Sequence, residues 1–159
     1  MELEGIRLEV PTNMPVLMLR EQSGTRRMMP IYIGAPEASS IHYALEGIKS
    51  NRPLTHDLLL NVVEQLNSQP VKLVITKIIE STYFADLHFL HQGSVVVVSC
   101  RPSDGVAVAV RSGIPIYAET ELLNEVGKPS SDATSEDAEE IIDDFKQFID
   151  SISPEDFQG

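Results

Sequence analysis

Arg52-Pro53-Leu54-Thr55-His56-Asp57 stands directly before the apolar run Leu58-Leu59-Leu60. About fifty residues further on, Arg101-Pro102-Ser103-Asp104 precedes a second apolar run, Val106 to Val110. Each unit combines an arginine, a proline, a hydroxyl and an aspartate. Arginine forks onto phosphate or carboxylate oxygens through paired N–H groups. Histidine is the side chain best suited to moving a proton near neutral pH. Two aspartates brought together would suit a hard cation such as Mg2+. If the units meet, Arg52 and Arg101 would bind or neutralise a phosphate, and His56 would act as general acid or base. Asp57 and Asp104 would orient His56, or hold Mg2+ or another divalent cation. Such a set is what phosphodiester cleavage requires. Two helix N-termini would offer further N–H groups to the same anion.

A structural account competes with this one. Thr55 and Ser103 are good N-caps for helices starting at the apolar runs, and first-turn aspartates gain about 0.3–1 kcal/mol from the helix dipole. Capping leaves Arg52, His56 and Arg101 unexplained, and an ion pair from Arg101 to Asp57 or Asp104 would absorb that arginine. Other candidates are weaker. His88 and His91 are three apart, which sends them to opposite faces of a strand. Cys100 has no CxxC partner and reads as a buried thiol. No GxxxxGK[ST] or GxGxxG phosphate loop and no GxSxG elbow is present.

The elements that must position these residues follow from periodicity. Ile6, Leu8 and Val10 alternate as on a half-buried strand, and Val16–Arg20 and Met29–Gly34 complete a meander around a Ser23-Gly24 turn. Pro36 and Glu37 suit a helix first turn, and Ala38, Ile41, Leu45 and Ile48 form its apolar stripe. Leu58, Leu59, Val62, Val63 and Leu66 give the second helix its stripe. Val71–Ile79, Tyr83–Leu90 and Ser94–Ser99 read as strands joined by tight turns, the four valines of the last suggesting burial on both faces. The segment after Arg101 alternates like a strand, but Ser103, Asp104 and Gly113 punctuate a short buried helix. A strand at Ile114–Ala118 and a short helix follow. Residues 127–135 have linker composition, and 136–152 form an amphipathic acidic helix with Ile141, Phe145 and Phe148 on its apolar stripe.

The chain has 159 residues, enough for one domain with a real core, and no apolar run long enough to span a membrane. One cysteine and no signal-peptide pattern fit a cytoplasmic setting. The net charge of -12 is unevenly spread: residues 1–118 hold 11 acidic and 10 basic side chains, and residues 119–159 hold 13 and 2. The body is therefore close to neutral, without the basic cluster of an extended duplex-binding face.

Three motifs, Met29-Pro-Ile-Tyr-Ile-Gly-Ala-Pro-Glu-Ala-Ser-Ser-Ile41, Arg52-Pro-Leu-Thr-His-Asp-Leu-Leu59 and Arg101-Pro-Ser-Asp-Gly through Tyr117, occur in the order and spacing of the bifunctional nuclease (BFN) domain family, which the chain resembles over roughly residues 5–125. The resemblance implies a compact α+β domain, a mostly antiparallel or mixed sheet with helices packed on it, followed here by the acidic helix. It also implies self-association as a dimer or higher homo-oligomer, and a nuclease acting on DNA or RNA. Family patterns carry an acidic residue where Ser99 stands, and Ala-Ile where Gly105-Val106 follow Asp104. The site expected on this reading has His56, Asp57 and Asp104 as catalytic groups, Arg52, Arg101 and Glu37 binding substrate, and Asp57 and Asp104 as metal ligands. The alternative is a non-catalytic oligomeric module that binds a small anion or a protein partner.

Overall fold

The computed structural model describes residues 1–129. The chain starts with an antiparallel meander, β1 (Glu2–Glu9), β2 (Met14–Arg20) and β3 (Met28–Tyr32). Two helices follow, α1 (Ala35–Leu45) and α2 (Thr55–Gln65). A second meander, β4 (Ser68–Ile79), β5 (Thr82–His91) and β6 (Ser94–Cys100), leads into α3 (Pro102–Ser112). Then β7 (Ile116–Ala118) pairs parallel to β4, and α4 (Thr120–Val126) closes the domain. The second sheet has the order β6-β5-β4-β7. This is an α+β domain, and none of its described helices is long and apolar enough to cross a membrane.

Both sheets contribute to one core. Leu17, Leu19 and Met29 of the first and Leu73, Ile75 and Leu87 of the second belong to one buried cluster with Ile41 of α1 and Val106 and Val108 of α3. The alternating residues after Arg101 do form a helix. Gly113 ends it at φ 68°, a left-handed position that suits a residue without Cβ. Gly105 explains how α3 comes so close to β4: a Cβ there would run into the Leu73 methyls. The Met1 ammonium donates to Ile116 O, and the backbone of Lys128 pairs with that of Met28, so both ends of the described chain are tied to the domain.

Several burial expectations are corrected. Val95–Val98 are 44–60% exposed rather than buried on both faces, because β6 lies at the edge of its sheet. The stripe of α2 splits. Leu60 and Val63 pack against the core, while Leu58, Leu59, Val62 and Leu66 face outward. Only the first half of the α1 stripe, Ala38 and Ile41, is buried, since Leu45 and Ile48 lie at and beyond the helix end. Val10 falls in the turn after β1 and is exposed. The acidic helix expected at 136–152, and most of the linker before it, lie outside the described residues.

Candidate functional site

The N-termini of α1, α2 and α3 repeat one local arrangement. Counting from the N-caps Gly34, Leu54 and Arg101, the third helical residue is acidic in each: Glu37, Asp57 and Asp104. Carboxylates are favoured there because the first-turn N–H groups lack helical acceptors. This corrects the capping expectation. Thr55 is the first helical residue of α2 and Ser103 the second of α3, and neither is the N-cap. Proline at the first turn of α3 lets that helix begin directly after Arg101. At α2, Asp57 does the capping, accepting from the Leu54 N–H at 2.9 Å.

The two Arg-Pro loops meet. His56 Nε2 of α2 lies 3.3 Å from Asp104 Oδ1 of α3. Arg101 forks onto the same carboxylate, Nε donating to Oδ2 at 2.8 Å and Nη2 to Oδ1 at 3.0 Å. Its Nη1 donates to Glu37 Oε1 of α1 at 2.8 Å. Gly34 makes room for that carboxylate, since a Cβ there would collide with Glu37 Oε2. On the other side of the imidazole, His56 Nδ1 is 2.9 Å from Ser40 Oγ. Arg111 closes the chain of contacts, donating from Nη2 to Ser40 Oγ at 3.2 Å and from Nε to Asp57 Oδ1 at 2.7 Å. Glu37, Arg101, Asp104, His56, Ser40, Arg111 and Asp57 are thus one connected polar network across three helices.

The proton arrangement follows from donor counting. A guanidinium only donates, so Ser40 Oγ accepts from Arg111 and its own proton is available to His56 Nδ1. A neutral His56 satisfying both neighbours then carries its proton on Nε2, directed at Asp104. Burial pushes the Asp104 carboxyl upward, but the hydrogen bonds from Arg101 and His56 outweigh it and hold the group below its ordinary value. Asp57 is balanced in the same way: burial raises it, and Arg111 and the Leu54 N–H bring it below the ordinary carboxylate range. Asp104 first, and then Glu37, raise the Arg101 guanidinium through their hydrogen bonds and ion pairs to it.

Arg52 is the expected residue that the network leaves out. It is exposed in the loop before α2 and forms no hydrogen bond or ion pair among the described residues. The metal pairing of Asp57 with Asp104 does not arise either. Each carboxylate is occupied by its own arginine, and no group of three or more His, Cys, Asp or Glu side chains able to hold a metal occurs among the described residues. Among the described residues, this arrangement does not fit a Mg2+ site. Ser40 and Arg111 belong to the network although residue type alone does not single them out. The available signal was helical spacing: Ser40 is three residues after Glu37, and Arg111 seven after Asp104, so each shares a helix face with its acid. An open pocket of about 640 Å³ lies elsewhere, between the C-terminal half of α2 and the start of β4, lined by Leu60, Val63, Gln69 and Leu90.

The bifunctional nuclease domain, as a family, matches residues 17–131, a span containing every member of the network. The chain belongs to the bifunctional nuclease domain family. Within it, "Uncharacterized protein Rv1829" of Mycobacterium tuberculosis is 42% identical over 160 residues, covering 98% of this chain and 95% of that protein. "Bifunctional nuclease 1" of Arabidopsis thaliana is 26% identical over 133 residues, covering 77% of this chain and 41% of the plant protein. "Bifunctional nuclease 2" of Oryza sativa subsp. japonica is 25% identical over 123 residues, covering 75% and 38%. The chain therefore corresponds to less than half of each of these plant nucleases, and to nearly all of the mycobacterial relative.

Proposed function

We propose that this BFN-family domain is a nuclease that hydrolyses phosphodiester bonds of DNA or RNA at the three-helix network. The observation that carries the reading is the meeting of the two Arg-Pro loops through His56 and Asp104. Arg101 is 65% exposed and uses three of its five N–H groups on Glu37 and Asp104, which leaves two for phosphate oxygens. Glu37 acts by aiming that guanidinium. His56 transfers the proton, and Asp104 orients the ring and stabilises its charged form. Asp57 fixes the start of α2, and so the position of His56 beside it. Arg52, exposed on the adjoining loop, contributes a second cation to an approaching phosphate backbone. Such proton transfer contributes roughly 10²–10⁴-fold to rate.

The test uses protein freed of contaminating nuclease, with single-stranded DNA and RNA as substrates, in Mg2+, Mn2+ or EDTA. His56→Ala and Asp104→Asn are expected to lose about 10²-fold or more of the cleavage rate. Wild-type rates in His56→Ala, Asp104→Asn and Arg101→Ala together would remove the site assignment. No cleavage by the wild-type chain would remove the nuclease reading.

One observation favours the non-catalytic alternative, a module that binds an anion or a protein partner. Both aspartates are already neutralised by arginines, as in a network whose task is to lock helix ends together. Its anion-binding form requires the wild-type protein to bind inorganic phosphate through Arg101, or to bind a short oligonucleotide there without cleaving it.

A further inference from the structure

Ser40 has the partners of a nucleophile rather than those of an ordinary helix serine. A serine inside a helix commonly turns its hydroxyl back to the carbonyl four residues earlier. Its neighbour Ser39 does so, donating to Ala35 O at 2.9 Å, and Ser112 donates to Val108 O in α3 in the same way. Ser40 does not. Its Oγ sits 2.9 Å from His56 Nδ1 and accepts from Arg111 Nη2 at 3.2 Å. With the His56 proton on Nε2, directed at Asp104 3.3 Å away, the Nδ1 lone pair faces the Ser40 hydroxyl. Hydroxyl, base and orienting carboxylate therefore stand in series, the arrangement that activates a serine. Serine proteases give the two ring nitrogens the opposite partners, but a carboxylate stabilises the imidazolium from either nitrogen. Neither Ser40 nor His56 is fully buried.

We propose that Ser40 is a catalytic nucleophile, attacking the phosphorus of a phosphodiester to form a covalent seryl intermediate. The substrate class rests on the nuclease reading above, and the activation of the hydroxyl does not. In the first step Ser40 Oγ bonds to phosphorus and its proton passes to His56 Nδ1. The bond from phosphorus to the leaving ester oxygen breaks, and that oxygen takes the proton from Nδ1. In the second step water attacks the phosphorus and gives a proton to Nδ1. The bond from phosphorus to Oγ then breaks, and the proton returns to Oγ. Asp104 stabilises the imidazolium formed each time. Arg111, which only donates, stabilises negative charge on Oγ both as attacking and as leaving atom. Arg101 bonds Glu37, which shares a face of α1 with Ser40 one turn away, so the guanidinium and the hydroxyl are presented along one helix face.

Two measurements test this, one of them independent of any nuclease activity. Diisopropyl fluorophosphate, whose fluoride leaves as Oγ bonds to phosphorus, is incubated with the full chain and the adduct is mapped by peptide mass spectrometry. Ser40 is expected to carry it, and His56→Ala, which keeps the serine but removes its base, to slow labelling by about 10²-fold. Absence of an adduct at Ser40, or labelling indifferent to His56→Ala, would overturn the proposal whatever the nuclease assay shows. The second measurement is the stereochemistry of cleavage of a deoxydinucleotide phosphorothioate of one configuration in isotopically labelled water. It is taken on the wild type and needs no variant to fold. Two displacements at phosphorus give retention, whereas direct attack by water gives inversion. Retention is expected, and Ser40→Ala, checked by its melting temperature, should lose both adduct and cleavage. Inversion with cleavage intact would leave the nuclease reading standing and remove the nucleophile. Labelling of Ser40 without any cleavage would keep Ser40 as a nucleophile and remove DNA and RNA as its substrates.

Discussion

Arg111 holds more of the site than any other residue outside the two Arg-Pro motifs. Its side chain is 10% exposed, and its partners are Asp57, Ser40 and the Ala107 carbonyl. Replacing it with methionine keeps much of the volume but strands the Asp57 carboxylate and releases Ser40. The expected loss, read from urea unfolding, is about 1.5–3 kcal/mol, the range for hydrogen bonds to charged groups. A pH dependence follows from the same ion pairs. Asp57 and Asp104 both titrate below their ordinary values in the folded chain, so in acid the unfolded chain binds more protons. Their stabilisation is complete above the ordinary aspartate pKa of about 4 and is lost as pH falls through the folded values. Thermal melts between neutral pH and pH 3 should show that decline, and Asp57→Asn should flatten it. Because capping accounts for neither an arginine nor a histidine there, residue types single out Arg52, His56 and Arg101; His56 and Arg101 join the network with Asp104, and Arg52 does not. Residue types did not reveal Arg111, which looked like an ordinary basic residue in a helix's last turn, where the dipole already favours it.

At the level of elements, sequence signals are informative where they are local and fail where they depend on neighbours. The helix after Arg101 was legible from its punctuation, although Gly105 and the β-branched valines argued against it. Gly105 is there because α3 crosses β4 at Leu73, not because the helix needs flexibility. Alanine at that position should therefore destabilise. Helix propensity favours alanine by about 1 kcal/mol. Overpacking against a fully buried Leu73 costs about 1–3 kcal/mol, and the net change in the urea midpoint is expected to be downward. The valines of β6 show the opposite case. A run of four valines reads as a strand from local pattern alone, but whether it is central or at an edge depends on strand order, which no local pattern encodes. The same holds for α2: of the expected stripe only Val63 packs against the core, beside Leu60, which lay outside the stripe, and the other four residues face outward.

Across the whole molecule, charge is the property most unevenly arranged. Residues 1–129 hold 14 acidic and 11 basic side chains, while residues 130–159 hold 10 and 1. A nucleic acid approaching the network meets a body near neutrality joined to a strongly anionic segment. On the nuclease reading proposed above, that negative charge opposes the approach of phosphates. Deleting residues 130–159 is therefore expected to tighten binding of single-stranded DNA. The gain should be largest at low ionic strength and shrink above about 0.15 M salt, where the Debye length falls to roughly 8 Å. Fluorescence anisotropy of a labelled oligonucleotide against both chains, across a salt series, measures this. Equal affinities at every salt concentration would show that the acidic segment has no electrostatic part in substrate access. A gain that persists at high salt would instead mark displacement of an apolar contact, because burial is not screened as charge is.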